Sequence, residues 1–496
     1  MYAAAALDLE VPMAVTAPAA SERAGSPAAG GRLALQLLAL SAAGLVVSVQ
    51  QTLVIPLLPR LMIAFDASVT EVTWVFTVSL LAGAVSTPLL SRFGDMYGKK
   101  PMILVALALQ VAGSTLCALS GSLGPLVAGR ALQGVSAAMI PLAIALIRDT
   151  FPPRRMAGAI GFVSATMGIG GTAGLIVTGL VAARTDSHRP VFWINVALAV
   201  AVLVLVAVCA RDVGERPGGR PDLPGALLLA GWLVCLLLAI SEGDAWGWGS
   251  PGVLGLFGGA AALCALWTAV EMRVRAPLVD VRLMASGRSL AANSAALLLG
   301  FAMFAGFTLS AQFIQTPEET GYGLGGSVLD VGLLSLPSTA TMLATSLSCG
   351  RLVARLGAAY TLAGGAALTA ASFAWLAVFN DGPGDVLVYS AIQGAGLGTA
   401  YGALGTLAVQ HVPMDKSGIA SGINSLLRVA GGSVGGAVTA AVLDARTPHG
   451  AIAPELGGYV ACFLLAAVGA ALAAGVALVR GLRDRSAPLA GAPKAP

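Results

Sequence analysis

Apolar stretches of about twenty residues alternate with short polar connections along this chain, and within each stretch the apolar residues fall on every side of a helix. A helix rises 1.5 Å per residue, so each stretch is long enough to cross a hydrocarbon layer of about 30 Å. Helices also satisfy their backbone polar groups internally, which such a layer requires. The pattern predicts fourteen membrane helices, at residues 33–58, 72–90, 101–119, 124–147, 156–183, 191–210, 223–240, 253–270, 290–314, 328–349, 358–379, 386–409, 419–443 and 459–479. The expected fold class is an all-α integral membrane protein.

Composition points the same way, with 57% hydrophobic residues and only 10% charged against about a quarter in soluble domains. The net charge of +4 matters less than its placement. Of the 28 Lys and Arg, only Arg60, Arg184, Arg189 and Arg446 fall in connections on one side, and Arg130 and Arg428 lie within helices. All the others fall on the opposite side, which predicts a multi-pass protein of the cell (inner) membrane with both termini cytoplasmic. The lipid bilayer is thus an expected partner and nucleic acid is not. The six cysteines sit inside apolar stretches at no paired or metal-ligand spacing, so they are read as small buried hydrophobes. No metal and no cofactor is expected. The ends lack a cleaved-signal pattern and are expected to be disordered.

Two polar stretches show that the chain is duplicated. Ser91-Arg-Phe-Gly-Asp95-Met-Tyr-Gly98-Lys99-Lys100 follows the second helix, and an altered copy, Gly350 to Gly357, follows the tenth, with Ala354 where the first has Asp95. Arg130-Ala-Leu-Gln133-Gly134 likewise matches Ser390-Ala-Ile-Gln393-Gly394, and Gly161, Gly170, Gly171 and Gly174 match Gly422, Gly431, Gly432 and Gly435. Internal duplication is a signature of alternating-access carriers. The expected organisation is a tail at 1–32, a six-helix bundle at 33–210, a linker with an inserted two-helix hairpin at 211–288, a second bundle at 289–480 and a tail at 481–496.

These motifs resemble those of the major facilitator superfamily, in particular its fourteen-helix drug/proton antiporters. The superfamily's loop pattern, Gly-x-Leu-x-Asp-Arg-x-Gly-Arg-Lys, is met at Phe93, Asp95, Gly98, Lys99 and Lys100, with Ser91 and Met96 departing from it. The resemblance implies a conformational latch at Asp95, Gly98, Lys99 and Lys100, with Arg148 a nearby cation for the carboxylate. The alternative is a solvated loop that only marks topology. The fourth-helix pattern Leu-x-x-x-Arg-x-x-Gln-Gly is met by Leu126, Arg130, Gln133 and Gly134, and the resemblance implies that Arg130 takes part in proton coupling. The alternative is a structural arginine bonding carbonyls between helices.

Gln50 stands where many relatives carry an acid, and an amide cannot exchange a proton at physiological pH. Asp330 is the acidic substitute if burial raises its pKa; otherwise it only suits the first turn of its helix. The antiporter motif of the fifth helix is incomplete, since Leu175 replaces its proline. Gly170, Gly171, Gly174 and Gly179 are read as helix-packing glycines. Arg428 has Asp149 and Asp415 as candidate partners. By resemblance the substrate cavity lies between the bundles, with Gln50, Gln51, Gln133, Phe304, Phe307, Gln312, Gln393 and Tyr401 as its candidate lining.

The sequence therefore predicts a monomeric secondary transporter that exports a lipophilic or amphipathic small molecule against protons. Its rivals are an uncoupled facilitator or importer and a non-transporting membrane sensor. No nucleophile, base and orienting group stand together, so an enzyme is not expected, and the Gly168-Ile-Gly170 and Gly94 to Lys100 stretches fail the context and spacing of nucleotide-binding loops.

Overall fold

The computed structural model describes residues 27–54, 57–67, 69–182, 184–185, 187–212, 222–274, 277, 279, 281–284, 286–448 and 453–486. Most of both tails expected to be disordered, and residues 213–221 of the linker, lie outside the described residues. Within them the regular structure is entirely helical. The chain begins with α1 (Pro27–Thr52), α2 (Leu58–Phe65), α3 (Val69–Tyr97), α4 (Lys99–Leu119), α5 (Leu123–Gly134), α6 (Met139–Thr150), α7 (Pro153–Ala182) and α8 (Arg189–Cys209). Next come α9 (Leu223–Trp246), α10 (Pro251–Glu271) and the four-residue α11 (Val281–Met284). The chain continues through α12 (Gly287–Gln315), α13 (Val328–Leu334), α14 (Leu336–Leu356), α15 (Ala358–Val378), α16 (Pro383–Val409), α17 (Ser417–Ala445) and α18 (Leu456–Ser486).

Twelve helical spans among the described residues are long and apolar enough to cross a membrane, which makes this a multi-pass membrane protein. The other two of the fourteen expected spans form α9, whose apolar part is Pro224–Ile240, and α16, which is long enough but diluted by glycine, threonine and glutamine.

Three predicted spans differ in detail. The first stops at Thr52, whose Oγ1 turns back onto the carbonyls of Ser48 and Val49, and the chain restarts as α2 with Pro59 in its first turn. The tenth is broken at Ser335, because Pro337 cannot donate to the preceding turn. The Ser91 to Lys100 stretch is helix rather than loop: α3 runs through Tyr97, and only Gly98, at φ 109°, interrupts it before α4.

Packing divides the helices into two groups. In the first, α1 lies on α7 and α8, and α4 on α5 and α8; in the second, α12 lies on α17 and α18, and α15 on α16 and α18. α9 and α10 pair with each other at the edge, and α9 touches α3 and α17. Leu227, Leu254 and Leu266 of this hairpin are exposed, as suits a surface in contact with hydrocarbon.

The repeat read in the sequence recurs as packing. A Cβ on Gly174 would lie 2.9 Å from the Val49 carbonyl of α1, and one on its counterpart Gly435 would lie 2.6 Å from the Phe301 carbonyl of α12. Gly134 abuts the Ser79 carbonyl of α3 just as Gly394 abuts the Ser338 carbonyl of α14. Across the groups, a Cβ on Gly161 would lie 2.9 Å from the Ser346 carbonyl of α14, and one on Gly422 would lie 2.6 Å from Ser91 Oγ of α3. Gly357, at φ 87°, turns α14 into α15 as Gly98 turns α3 into α4.

Between the groups, α7 and α14 converge toward the end of the molecule that carries Asp95. There a Cβ on Gly350 would lie 2.9 Å from the Gly158 nitrogen, whereas at the opposite end one on Gly179 would be 3.9 Å from Leu329. The groups thus meet backbone to backbone at the Asp95 end, the tight end, and pack through side chains farther along, where a Cβ on Gly332 of α13 would lie 3.0 Å from the Ile176 side chain of α7.

Gly98→Ala is expected to destabilise the protein by about 1–3 kcal/mol, because a side chain at that positive φ is strained. Thermal unfolding in detergent should show it, while Gly121→Ala, whose Cβ would meet open space, should change little.

Candidate functional site

Three assemblies occupy the interface and its flanks. At the tight end, Asp95 on the last turn of α3 is almost fully buried. Its Oδ1 accepts the Gly418 N–H and its Oδ2 the Ile419 N–H, each at 2.9 Å. Both donors belong to the first turn of α17, where N–H groups lack helical partners and the helix dipole favours a negative charge. The carboxylate comes this close because Gly418 has no side chain: a Cβ there would lie 2.6 Å from Asp95 Oδ1.

Lys99 bridges two acids, with Nζ 3.3 Å from Asp95 Oδ1 and 2.6 Å from Asp149 Oδ2. Its main-chain N–H donates to Asp212 Oδ1 at 3.3 Å, and Lys100 Nζ donates to the Ala207 carbonyl at 2.7 Å. Arg148, expected beside Asp95, instead donates to the carbonyls of Val412 and, at 3.4 Å, Pro413. It thus holds the connection before α17 rather than the carboxylate. Nearby, burial pushes the His411 imidazole below the ordinary histidine value, aided by Arg288 and opposed by Asp484.

The second assembly centres on Arg130 of α5, which is fully buried. Its Nε donates to the Val75 carbonyl at 3.0 Å, and its Nη1 to the Gln50 carbonyl, Gln50 Oε1 and Gln133 Oε1 at 3.1, 2.8 and 2.6 Å. Gln133 Nε2 and Asn195 Nδ2 in turn donate to Ser114 Oγ at 2.8 and 3.2 Å. Every one of these partners is neutral. The guanidinium fork thereby ties α1, α3 and α5 together, and the amides extend the network to α4 and α8.

The third is a cavity of about 300 Å³ between the groups, lined by α1, α3, α7, α12, α13, α14 and α16. Phe76, Phe304, Phe307 and Tyr389 supply aromatic surface, and Gln51, Gln312 and Gln393 supply amides. Thr172 and Thr339 face each other across the groups with hydroxyls 2.8 Å apart. Of the eight expected lining residues, Gln51, Phe304, Phe307, Gln312 and Gln393 reach the cavity. Gln50 and Gln133 are instead taken up by Arg130, and Tyr401 lies behind the wall, its hydroxyl donating to Met303 Sδ at 2.8 Å.

The remaining expected residues are spread out. Asp330 is not buried; it closes a capping box, its Oδ2 accepting the Ser327 N–H and hydroxyl at 2.7 Å. Arg428 pairs with neither Asp149 nor Asp415 but lies 5.1 Å from the centre of the Tyr401 ring, its Nη2 3.4 Å from Ser425 Oγ. Gly170 and Gly174 seat α7 on α1, Gly171 lines the cavity, and Gly179 has only loose contacts. Gly418, Ile419 and Asp149 were missed as partners of the Asp95 stretch. The available signal was a helix start after Pro413 with a glycine in its first turn.

Asp95→Asn is expected to open the tight end. Removing one partner of a buried ion pair costs about 3–5 kcal/mol in the state that holds it. In a background without the native cysteines, Ala420→Cys on α17 should then label several-fold faster with an impermeant maleimide supplied from the Asp95 side. Gly418→Ala should do the same without changing any charge. Unchanged labelling in both variants would mean that this contact does not hold that end shut.

Comparison with known proteins follows the same lines. The chain is 30% identical over 429 residues to the tetracenomycin C resistance and export protein of Streptomyces glaucescens, covering 85% of this chain and 78% of that protein. It is also 30% identical over 417 residues to the multidrug resistance protein Stp of Mycobacterium tuberculosis, covering 83% and 76%. The human organic anion transporter MFSD10 (TETRAN) shares the fold, with a TM-score of 0.67 at 15% identity over 90% of this chain and 99% of that one. The sequence profile of the Major Facilitator Superfamily matches residues 40–436, and with the two packed helix groups and the cavity between them, the chain belongs to that superfamily of membrane transporters.

Proposed function

We propose that this protein exports lipophilic or amphipathic small molecules by alternating access, the helix groups at 33–210 and 289–480 rocking about the central cavity. The observation that carries this reading is the cavity itself, largely apolar, set between the groups, with the α3–α17 contact closing one end. In this reading the closed end is cytoplasmic, Asp95, Gly98, Lys99, Lys100 and Arg148 form its latch, and α9 and α10 are the inserted pair that brings the membrane helices to fourteen. The names of the two bacterial relatives, one an exporter and both associated with resistance, support outward transport of drug-like compounds.

Export against inward proton flow is the coupled form of this proposal, with Arg130 as its proton-linked element. A second, uncoupled form is favoured by one observation. Arg130 is held by neutral acceptors alone, and Asp330, the acid that was to replace Gln50, sits in an exposed cap.

Inverted membrane vesicles separate the two forms. The coupled form requires that adding a transported dye dissipate an imposed pH gradient; dye movement with no effect on the gradient would exclude it. In the same vesicles Arg130→Lys, which keeps the charge but cannot span Val75, Gln50 and Gln133 at once, is expected to lower flux by about an order of magnitude. That is the scale of one or two net hydrogen bonds. Dye accumulation in cells carrying the wild-type protein that is no lower than in cells without it would sink the export reading.

A further inference from the structure

The central cavity is uncharged, yet it lies between two buried positive charges. No residue lining it is acidic or basic; its polar groups are hydroxyls and amides such as Gln51, Ser338, Ser390 and Gln393. Behind each wall, one residue removed, stands an arginine. Arg130 bonds Gln50 and the Val75 carbonyl, whose chain neighbours Gln51 and Phe76 line the cavity. Arg428, 7% exposed, lies against the Tyr401 ring, and the Tyr401 hydroxyl donates to Met303, which also lines the cavity.

Neither arginine has an anionic partner among the described residues. Arg130 donates from its Nε and Nη1 to neutral acceptors, whereas the buried Nε of Arg428 has no acceptor among the described residues. The acids of this region, Asp95 and Asp149, are drawn to Lys99 at the tight end. The acid nearest the other end, Asp330, faces outward in its cap. A charge moved from water into such an interior must be compensated by an opposite charge or by hydrogen bonds. Hydrogen bonds to neutral acceptors solvate a guanidinium without cancelling its charge, so two guanidiniums with no counter-charge among the described residues leave the cavity at positive potential, since no lining carboxylate offsets them and screening by salt is weak in a buried space.

From this field we infer that the cavity accepts neutral and weakly acidic aromatic molecules, of the phenol or quinone kind, and excludes lipophilic cations. Hydroxyl and amide side chains can donate to or accept from ring oxygens, and Phe76, Phe304, Phe307 and Tyr389 give flat apolar surface for the rings. A permanent cation would lose its hydration and meet no negative group in return, with two positive charges behind the walls. The inference deepens the proposed function and rests on it only for the cavity being the transport site.

The test uses the purified full chain with two probes, 1,8-dihydroxyanthraquinone as the phenol and ethidium as the permanent cation. Binding is read as a rise in thermal midpoint in detergent, and transport as flux in proteoliposomes. The phenol is expected to bind at least tenfold more tightly than ethidium, and only the phenol to be carried. A unit charge about 10 Å away at an effective dielectric of about 20 is enough for roughly tenfold discrimination. Arg428→Gln should shrink the ratio about tenfold and Arg428→Lys should keep it. Gln51→Glu, which places a carboxylate in the wall, should make ethidium bind and move. If Arg428→Gln does not fold, the Gln51→Glu result decides alone. Ethidium binding as well as the phenol in the wild-type protein, no midpoint rise with the phenol, or no gain of ethidium in Gln51→Glu would each overturn the inference. Phenol binding without flux would instead count against the export reading and leave the selectivity standing.

Discussion

A carboxylate on one helix held by the unpaired N–H groups that begin another is the contact on which the arrangement of this molecule turns. Asp95 reaches across from α3 to Gly418 and Ile419 of α17, and it sits beside Lys99 in the same cluster. In a hydrocarbon layer a buried charge must find partners within the protein. A contact that supplies two hydrogen bonds from α17 and a counter-charge from α4 therefore fixes how the two helix groups meet. The cavity is the space left between the groups beyond that contact, where they meet again through Thr172 and Thr339 and through Gly332 of α13 against Ile176 of α7.

The duplicated halves keep the same backbone contacts and differ in chemistry. Equivalent glycines seat α7 on α1 and α17 on α12, and equivalent glycines bring α5 against α3 and α16 against α14. At these points backbone passes so close to backbone that a side chain of any size is excluded, which explains why glycine recurs there. The polar residues are under no such constraint. Asp95 has Ala354 as its counterpart and Arg130 has Ser390, so the clasp and the arginine network belong to one half alone. Similar halves with unlike charge thus meet through an ionic contact at one end and through packing at the other.

The two buried arginines illustrate how differently the interior treats the same side chain. Arg130 spends its donors on carbonyl and amide oxygens of several helices and so stitches them together. Arg428 rests against an aromatic face with an Nε that has no acceptor among the described residues. One is absorbed by the fold; the other keeps its charge available to the space between the groups.

The helical, membrane-spanning character of the chain was determined by the sequence alone, because apolar runs of that length have no other stable form in hydrocarbon. The repeat was legible too, since glycines required by close backbone approach are fixed points of the pattern, as at Gly174 and Gly435. Arg130 and Gln133 were recognisable as a pair from their spacing. The partners were not. That Asp95 binds α17 rather than Arg148, that Lys99 joins it to Asp149, that Gln50 serves Arg130 instead of the cavity, and that Asp330 caps a helix in the open all depend on residues distant in the chain. A sequence states which side chains carry charge and how deep they lie along a helix. The direction in which each one faces is decided only when the helices pack, because rotation about the helix axis is set by the neighbours and not by the local run of residues.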